Sequence, residues 1–495
     1  MKRINVIIAI TLALICILGW FLVFKQQSSK TEQYSAYVEQ ADTWVEEGLY
    51  QRAIQSYQMA LAEAPTVEIY TKAVGAFQKR ISEVSGDILD DTLDEYTDFL
   101  AAAVDACPQE EEFVRLLAEL YLNDENFSQA YSCLRAAVNN GIYSENIMSM
   151  LRQAQYAWSY RGGTYSLILP LAGATYSVER NGSWGTYEIE NGSVLPCEYE
   201  YVSRSNAEDI LVVTINESSR LIEAEGMVLG IFDQIVVDAG MYSDGLIPAT
   251  FDGTNYQYFD EFARPQFGTF EEAGTFLEGT AAVKQNGVWF LINDSGEKIS
   301  DEYDDIVLNA RGEYLSEDVM LAAKEKGHYC FYDEDLKEIS AFKADEVDIL
   351  TADGIVAYCQ NGKWGFIDCD GNTVIEPQYT MARSFSFGIA AVCKDDTWGF
   401  IDREGNVVID FQFANALYFD ELGTCPVRVD QPPLNFDEVM GAVVDSGSNG
   451  TSDTDETVQE GNVDVDMKSL PERTNEISVI EEWKLLKLKI GIAEE

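Results

Sequence analysis

The chain changes its hydrophobic rhythm twice. Residues 4–24, INVIIAITLALICILGWFLVF, form an unbroken apolar run without a charge. At 1.5 Å per residue this run predicts a helix of about 31 Å, close to the thickness of a bilayer core. Between 31 and 158, apolar residues recur at i, i+4 and i+7, the period of amphipathic helices. From Gly163 onward they alternate in short stretches broken by Asn-Gly and Asp-x-x-Gly turns, which predicts strands joined by tight hairpins. The shifts divide the chain into residues 1–30, 31–158 and 159–495, an α+β multidomain organisation.

Lys2 and Arg3 precede the apolar run, and Lys25 and Lys30 follow it. The run exceeds a signal-peptide core and no Ala-x-Ala cleavage site follows. A single-pass signal anchor in the cell membrane is therefore expected, with the N-terminus cytoplasmic and the remaining domains extracytoplasmic.

In the helical region, AYVEQADTWVEEGLYQRAIQSYQMALAEAP carries Ala41, Trp44, Gly48, Tyr50, Ala53, Tyr57, Ala60 and Pro65. Ala118, Tyr121, Phe127 and Ala130 repeat that register in EEFVRLLAELYLNDENFSQAYSCLRAAVNNG. Small residues at helix contacts with aromatics beside them resemble the tetratricopeptide repeat. The resemblance implies stacked helix pairs, an α-solenoid, with a groove for peptides or partner proteins. A plain spacer is the alternative.

The β region is internally repetitive. NGKWGFIDCDGNTVIEPQY at 361–379 is echoed by DDTWGFIDREGNVVIDFQF at 395–413 and more faintly at 181–199, 286–303 and 326–340. The Trp position runs through Trp184, Ser219, Tyr256, Trp289, Tyr329, Trp364 and Trp398 in steps of 33 to 40 residues, and Trp483 adds an eighth. These units resemble the bacterial WG repeat, on Trp184-Gly185, Trp364-Gly365 and Trp398-Gly399. Asp260, Asp333, Asp368 and Asp402 stand four residues after the Trp position, and Gly296, Gly371 and Gly405 three further on. The tryptophans are read as packing between sheets. The Asp and Gly positions are read as hairpin-turn residues.

One such unit cannot bury its apolar face, so neighbours must stack. The Trp483 strand lacks a following third strand, and 165–173, YSLILPLAG, lacks a preceding Trp strand. Pairing the two predicts a closed β-propeller of about eight blades; an open β-solenoid is the alternative.

Charge narrows the function classes. With 85 Asp+Glu against 33 Lys+Arg, the net charge is −52, which excludes nucleic acid as a partner. The single histidine, His328, excludes a His triad network or multi-His zinc site. Nine cysteines include no C-x-x-C pair, and no P-loop, nucleophile elbow or dinucleotide fingerprint is present. No enzyme activity, cofactor or catalytic residue is expected. Residues 430–482 hold fourteen acidic and two basic residues and read as a disordered insertion. Within it Asp445, Asn449, Gly450, Asp453 and Glu456 fit part of a calcium loop, though Gly447 occupies a ligand position, so weak Ca²⁺ association is the expectation. The expected function is a membrane-anchored scaffold binding partner proteins in the cell envelope. The alternative is a sensor of wall glycan or another small ligand through the β domain.

Overall fold

Residues 34–46 form the first described helix, α1, and the turn after it requires Gly48 at φ +75°. That turn lets the Leu49 N–H donate to the Trp44 carbonyl at 2.8 Å. Helices α2 (Tyr50–Glu63), α3 (Val67–Glu83), α4 (Asp87–Ala106), α5 (Glu111–Asn123), α6 (Phe127–Asn139) and α7 (Glu145–Gln155) follow, each packed on its predecessor. Thr66, Asn126 and Ser144 cap α3, α6 and α7 by accepting a backbone N–H three residues on. Ala41, Ala53 and Ala60 are fully buried beside Tyr57, and Ala118 and Ala130 are fully buried in a second core with Leu134. The Tyr57 hydroxyl donates to Asp42 at 2.5 Å, and Lys72 pairs with Asp42 at 2.7 Å, tying α1, α2 and α3.

The computed structural model describes residues 34–169, 175–206, 210–223, 226–431 and 480–489. The chain divides into two compact units, Met1–Ala157 and Trp158–Glu495.

The expected membrane anchor is corrected. Among the described residues no helix is long and apolar enough to cross a membrane, and the 4–24 run lies outside them. The physical reason is charge: α4, at 20 residues, carries Asp87, Asp90, Asp91, Asp94, Glu95, Asp98 and Asp105. The described fold is a helical unit and a propeller, and single-pass membrane localisation is not supported.

The β unit is a ring of eight antiparallel sheets, with blades beginning at residues 167, 201, 238, 272, 305, 346, 381 and 415. Blade 6 shows the pattern: strand A is Glu346–Val347, B Ile355–Gln360, C Lys363–Asp368 and D Thr373–Tyr379. Blade 7 repeats it with Met381–Ala382, Ile389–Lys394, Thr397–Asp402 and Val407–Phe413. In both blades the Trp lies on strand C, one residue after its start. Blade 8 takes A from Asn415–Ala416, B from Thr424–Gln431, C from Ile480–Leu488 and D from Trp158–Tyr165, so the ring is sealed by strand exchange. Tyr165 pairs with Trp483. The exchanged strand lies upstream of the expected 165–173, because α7 stops at Gln155 and Leu167–Ile168 serves as strand A of blade 1.

The core sits between blades. Separate apolar clusters join blades 1–2, 2–3, 3–4, 4–5, 5–6, 6–7 and 8–1. Trp184, Trp289, Trp364 and Trp483 each pack in the cluster shared with the next blade.

Candidate functional site

The Trp-Gly pair has a steric logic visible in strand pairing. A Cβ on Gly185, Gly365 or Gly399 would stand 2.5, 2.6 or 2.9 Å from the carbonyl oxygen of Leu195, Ile375 or Ile409 on strand D. Strand D bulges there. Trp364 pairs with Tyr379 and Phe366 with Ile375, so residues 376–378 face Gly365 alone. Blades 1 and 7 repeat this at Gly185 and Gly399. Blade 4 has Phe290 in place of Gly, and its outer stretch forms only the bridges Trp289–Tyr303 and Ile292–Lys298. Blade 8 has Lys484 there, and its facing bulge, residues 162–164, contains Gly162 and Gly163 instead.

The four aspartates after the Trp close turns. Asp260, Asp333, Asp368 and Asp402 each accept, on Oδ1, the backbone N–H four residues on, at 2.7–2.9 Å. Gly371 and Gly405 sit at φ +84° and +83° in those turns. Asp244 and Asp353 act between blades, accepting the N–H of Gly279 and Gly388 at 2.7 and 2.8 Å. His328 Nδ1 lies 3.2 Å from Glu325 Oε2 at a hairpin tip.

The A–B loops meet near the propeller axis. Blade 5 has the longest described one, residues 307–319 between Ile306 and Met320, where blade 7 has only 383–388. Arg204 of blade 2 donates to the Ala310 carbonyl of this loop. The next residue, Arg311, pairs with Glu421 of blade 8 at 2.6 Å. Blade 5 is three steps from blade 2 and three from blade 8 around an eight-membered ring, so its direct bonds to each require the axis. The blade 5 loop therefore crosses that mouth of the ring.

A buried charged cluster lies on the same set of loops. Tyr418 donates to Asp348 Oδ1 at 2.6 Å and the Ser384 N–H to Oδ2 at 2.7 Å. Arg383 Nη1 lies 3.7 Å from Asp348, whose side chain is 10% exposed. The guanidinium stands 5.6 Å from the Trp398 ring centroid and 5.9 Å from Tyr418, and its Nε is buried without an acceptor among the described residues. Burial pushes the Asp348 carboxyl above its usual range, against the opposing pull of Tyr418 and Arg383. At the seam between blades 8 and 1, Tyr176 donates to Asp420 Oδ2, while the N–H groups of Leu422 and Thr424 donate to Oδ1 at 2.9 and 2.8 Å. Burial raises Asp420 likewise, with Tyr176 opposing. Both carboxyls are held by several donors at once, an arrangement that positions loops.

Among the described residues, no group of three or more His, Cys, Asp or Glu could hold a metal ion. The eight described cysteines are free thiols. The calcium-loop residues Asp445, Asn449, Gly450, Asp453 and Glu456 lie outside the described residues.

Sequence reasoning missed Asp348, Arg383, Tyr418 and Arg204. One signal bears on Arg204 alone: the longest of the 33-to-40-residue steps, from Trp289 to Tyr329, contains the extended blade 5 loop it binds.

Comparison with known proteins places these repeats. Among solved structures, the crystal structure of BamB from Moraxella catarrhalis is similar at 10% identity and TM-score 0.38, covering 55% of this chain and 97% of that one. KlHsv2 with loop 6CD replaced by a Gly-Ser linker is similar at 10% identity and TM-score 0.32, covering 54% and 91%. No curated protein matches the chain. Residues 268–289, 364–398 and 398–431, in blades 3, 4, 6, 7 and 8, match the family described as WG containing repeat, so these stretches of the propeller carry WG repeats.

Proposed function

We propose that this protein is a non-catalytic scaffold whose WG-repeat propeller docks partner proteins, with the tetratricopeptide-like helical unit as a second docking element. The observation that carries this reading is where the polar chemistry goes. Asp244, Asp353, Asp348 and Asp420 bond across blade boundaries, and the four turn aspartates bond their own hairpins. These carboxylates are engaged in bonds that brace hairpins and blade boundaries, and a ring so braced presents stable surfaces. The axial small-ligand reading has less support, since the Arg204–Ala310 and Arg311–Glu421 bonds span one mouth.

The test is cross-linking of the full chain in its native cells, followed by reconstitution with each recovered protein. Saturable binding of at least one purified partner is expected. Failure of every recovered protein to bind in reconstitution overturns the scaffold reading. Turnover of a hydrolase substrate panel that is lost in Asp348→Asn would overturn its non-catalytic part.

A further inference from the structure

Neighbouring blades leave the same cleft twice, and the two copies differ in charge. Between blades 3 and 4 a cleft of about 540 Å³ is lined by Phe270, Val288, Phe290, Lys298 and Glu302, among others. Between blades 6 and 7 a cleft of about 300 Å³ is lined by Tyr379, Val407, Phe411, Lys363, Lys394 and Asp395, among others. The positions correspond. Phe270 and Tyr379 both end strand D and pair with the Trp-position residue, Tyr256 or Trp364. Lys298 and Val407 both face the third residue after the Trp position, Ile292 or Ile401.

In the first cleft Lys298 pairs with Glu302 at 2.7 Å and lies 4.9 Å from the Phe290 ring, so its charge is neutralised. In the second, Lys363 and Lys394 are exposed, and neither side chain has an ion-pair partner among the described residues. Asp395 is the one carboxylate in that lining. More bases than acids in one cleft runs against a chain with 85 acidic and 33 basic residues. The apolar part is open to solvent: Val407 is 45% exposed, and Tyr379 and Phe411 are half-buried. The volume lies at the small end of binding clefts, about 300–1,000 Å³, enough for a single aromatic anchor.

We propose that the cleft between blades 6 and 7 binds an extended acidic–aromatic peptide segment of a partner protein. An aromatic side chain sits against Tyr379, Val407 and Phe411, and flanking carboxylates meet Lys363 and Lys394. Charge complementarity selects this occupant. The rest of the acidic surface is screened beyond about 8 Å at physiological salt, so the two lysines dominate locally. The proposal rests on the scaffold reading and names its surface.

The test uses the full chain and a fluorescein-labelled Gly-Asp-Asp-Phe-Asp-Asp-Gly peptide, with its Lys-for-Asp counterpart as control, followed by anisotropy at low and high salt. Saturable binding of the acidic peptide, weakened at least about tenfold in K363E/K394E and unchanged in K298E, is expected for a site built on two charge pairs. K363Q/K394Q keeps side-chain size and guards against misfolding; it should weaken binding in the same direction. Absence of saturable binding, equal binding of the Lys peptide, or unchanged affinity in both double variants overturns the proposal. Tighter binding after deletion of residues 432–479 would assign the cleft to the chain's own acidic segment and overturn the partner assignment. A purified partner that still binds K363E/K394E with full affinity sinks the cleft and leaves the scaffold reading standing. Lack of any partner for the wild-type chain sinks the scaffold reading itself.

Discussion

Replacing Gly365 by Ala tests the reason a glycine follows the repeat tryptophan. The new Cβ would stand 2.6 Å from both the Ile375 carbonyl oxygen and the Pro377 nitrogen, and 2.9 Å from the Glu376 carbonyl carbon. All three are backbone atoms of the strand D bulge, so no flexible side chain can move aside. Overpacking of this kind costs about 1–3 kcal/mol, and contact with backbone on three atoms places Gly365→Ala toward the upper end, ~2–3 kcal/mol. Gly399→Ala meets the same strand position at 2.9 and 3.0 Å and should cost less, ~1–2 kcal/mol. Gly362→Ala is the control. Nothing lies within 4 Å of its Cβ, but φ is +72°, so the left-handed backbone penalty alone, ~1 kcal/mol, applies. Urea unfolding followed by tryptophan fluorescence reads these differences, because Trp364 and Trp398 lie on the affected strands. With a slope of about 3 kcal/mol per molar, Gly365→Ala should lower the midpoint by roughly 0.7–1 M. Equal midpoints for Gly365→Ala and Gly362→Ala, or a larger loss at Gly399 than at Gly365, would refute the close-approach argument.

Trp398, 4% exposed, should cost ~3–5 kcal/mol as Trp398→Ala, read as a lost or broadened unfolding transition of the propeller. Asp348 and Asp420 have folded-state values raised by burial, so the stability they contribute is full below the unfolded value of about 3.9 and is lost as pH rises through the folded values. Asp348→Asn with Asp420→Asn should therefore flatten that downward trend as pH rises above about 4 in urea midpoints, and an unchanged slope contradicts the assignment. Tyr57→Phe removes the Asp42 hydrogen bond and should cost the helical unit about 0.5–1.5 kcal/mol, measured by far-ultraviolet circular dichroism. Arg311→Ala breaks a pair whose partners are 46% and 84% exposed and should change stability by less than about 1 kcal/mol in urea midpoints, with the loop still held through Arg204 and the Ala310 carbonyl.

What was legible in the sequence is what each blade does alone. Trp184-Gly185, Trp364-Gly365 and Trp398-Gly399 recur because blades 1, 6 and 7 solve the same packing between strand C, a bulged strand D and the next blade. Repetition of one local problem writes a period into the chain, and the closed ring followed from an unpaired strand at each end. The unread parts belong to contacts without local signature. Arg204 meets Ala310 across 106 residues, and Arg311 meets Glu421 across 110. Neither partner stands in a repeated motif, so self-comparison anchored on tryptophan passes over both. The exchanged strand was displaced for a related reason. Trp158–Tyr165 holds Trp158 and two glycines and has no alternation of its own, because its register is set by strand C of blade 8. The candidate clefts were also invisible, since they arise from residues of two different units.

Blade 8 concentrates the consequences of that closure. Its strands come from three stretches of chain: 415–431, 480–488 and 158–165. The B–C connection spans residues 432–479, where blade 7 uses only Asp395 and Asp396. Even as a free chain, a connection of 48 residues rather than two costs only about 3 kcal/mol more in closure entropy, because that cost grows with the logarithm of length. Against it stand eight paired positions between Thr424–Gln431 and Ile480–Lys487, with Leu485 and Leu486 fully buried. Each buried leucine is worth about 1.5–3 kcal/mol, so the pairing outweighs the long connection. The D strand is bound more tightly to chain order. Only Tyr156 and Ala157 separate α7 from Trp158, so the segment that leaves the helical unit is the one that completes the ring. Cleavage between Tyr156 and Ala157 would therefore leave the whole outer strand of blade 8 on the propeller side of the break.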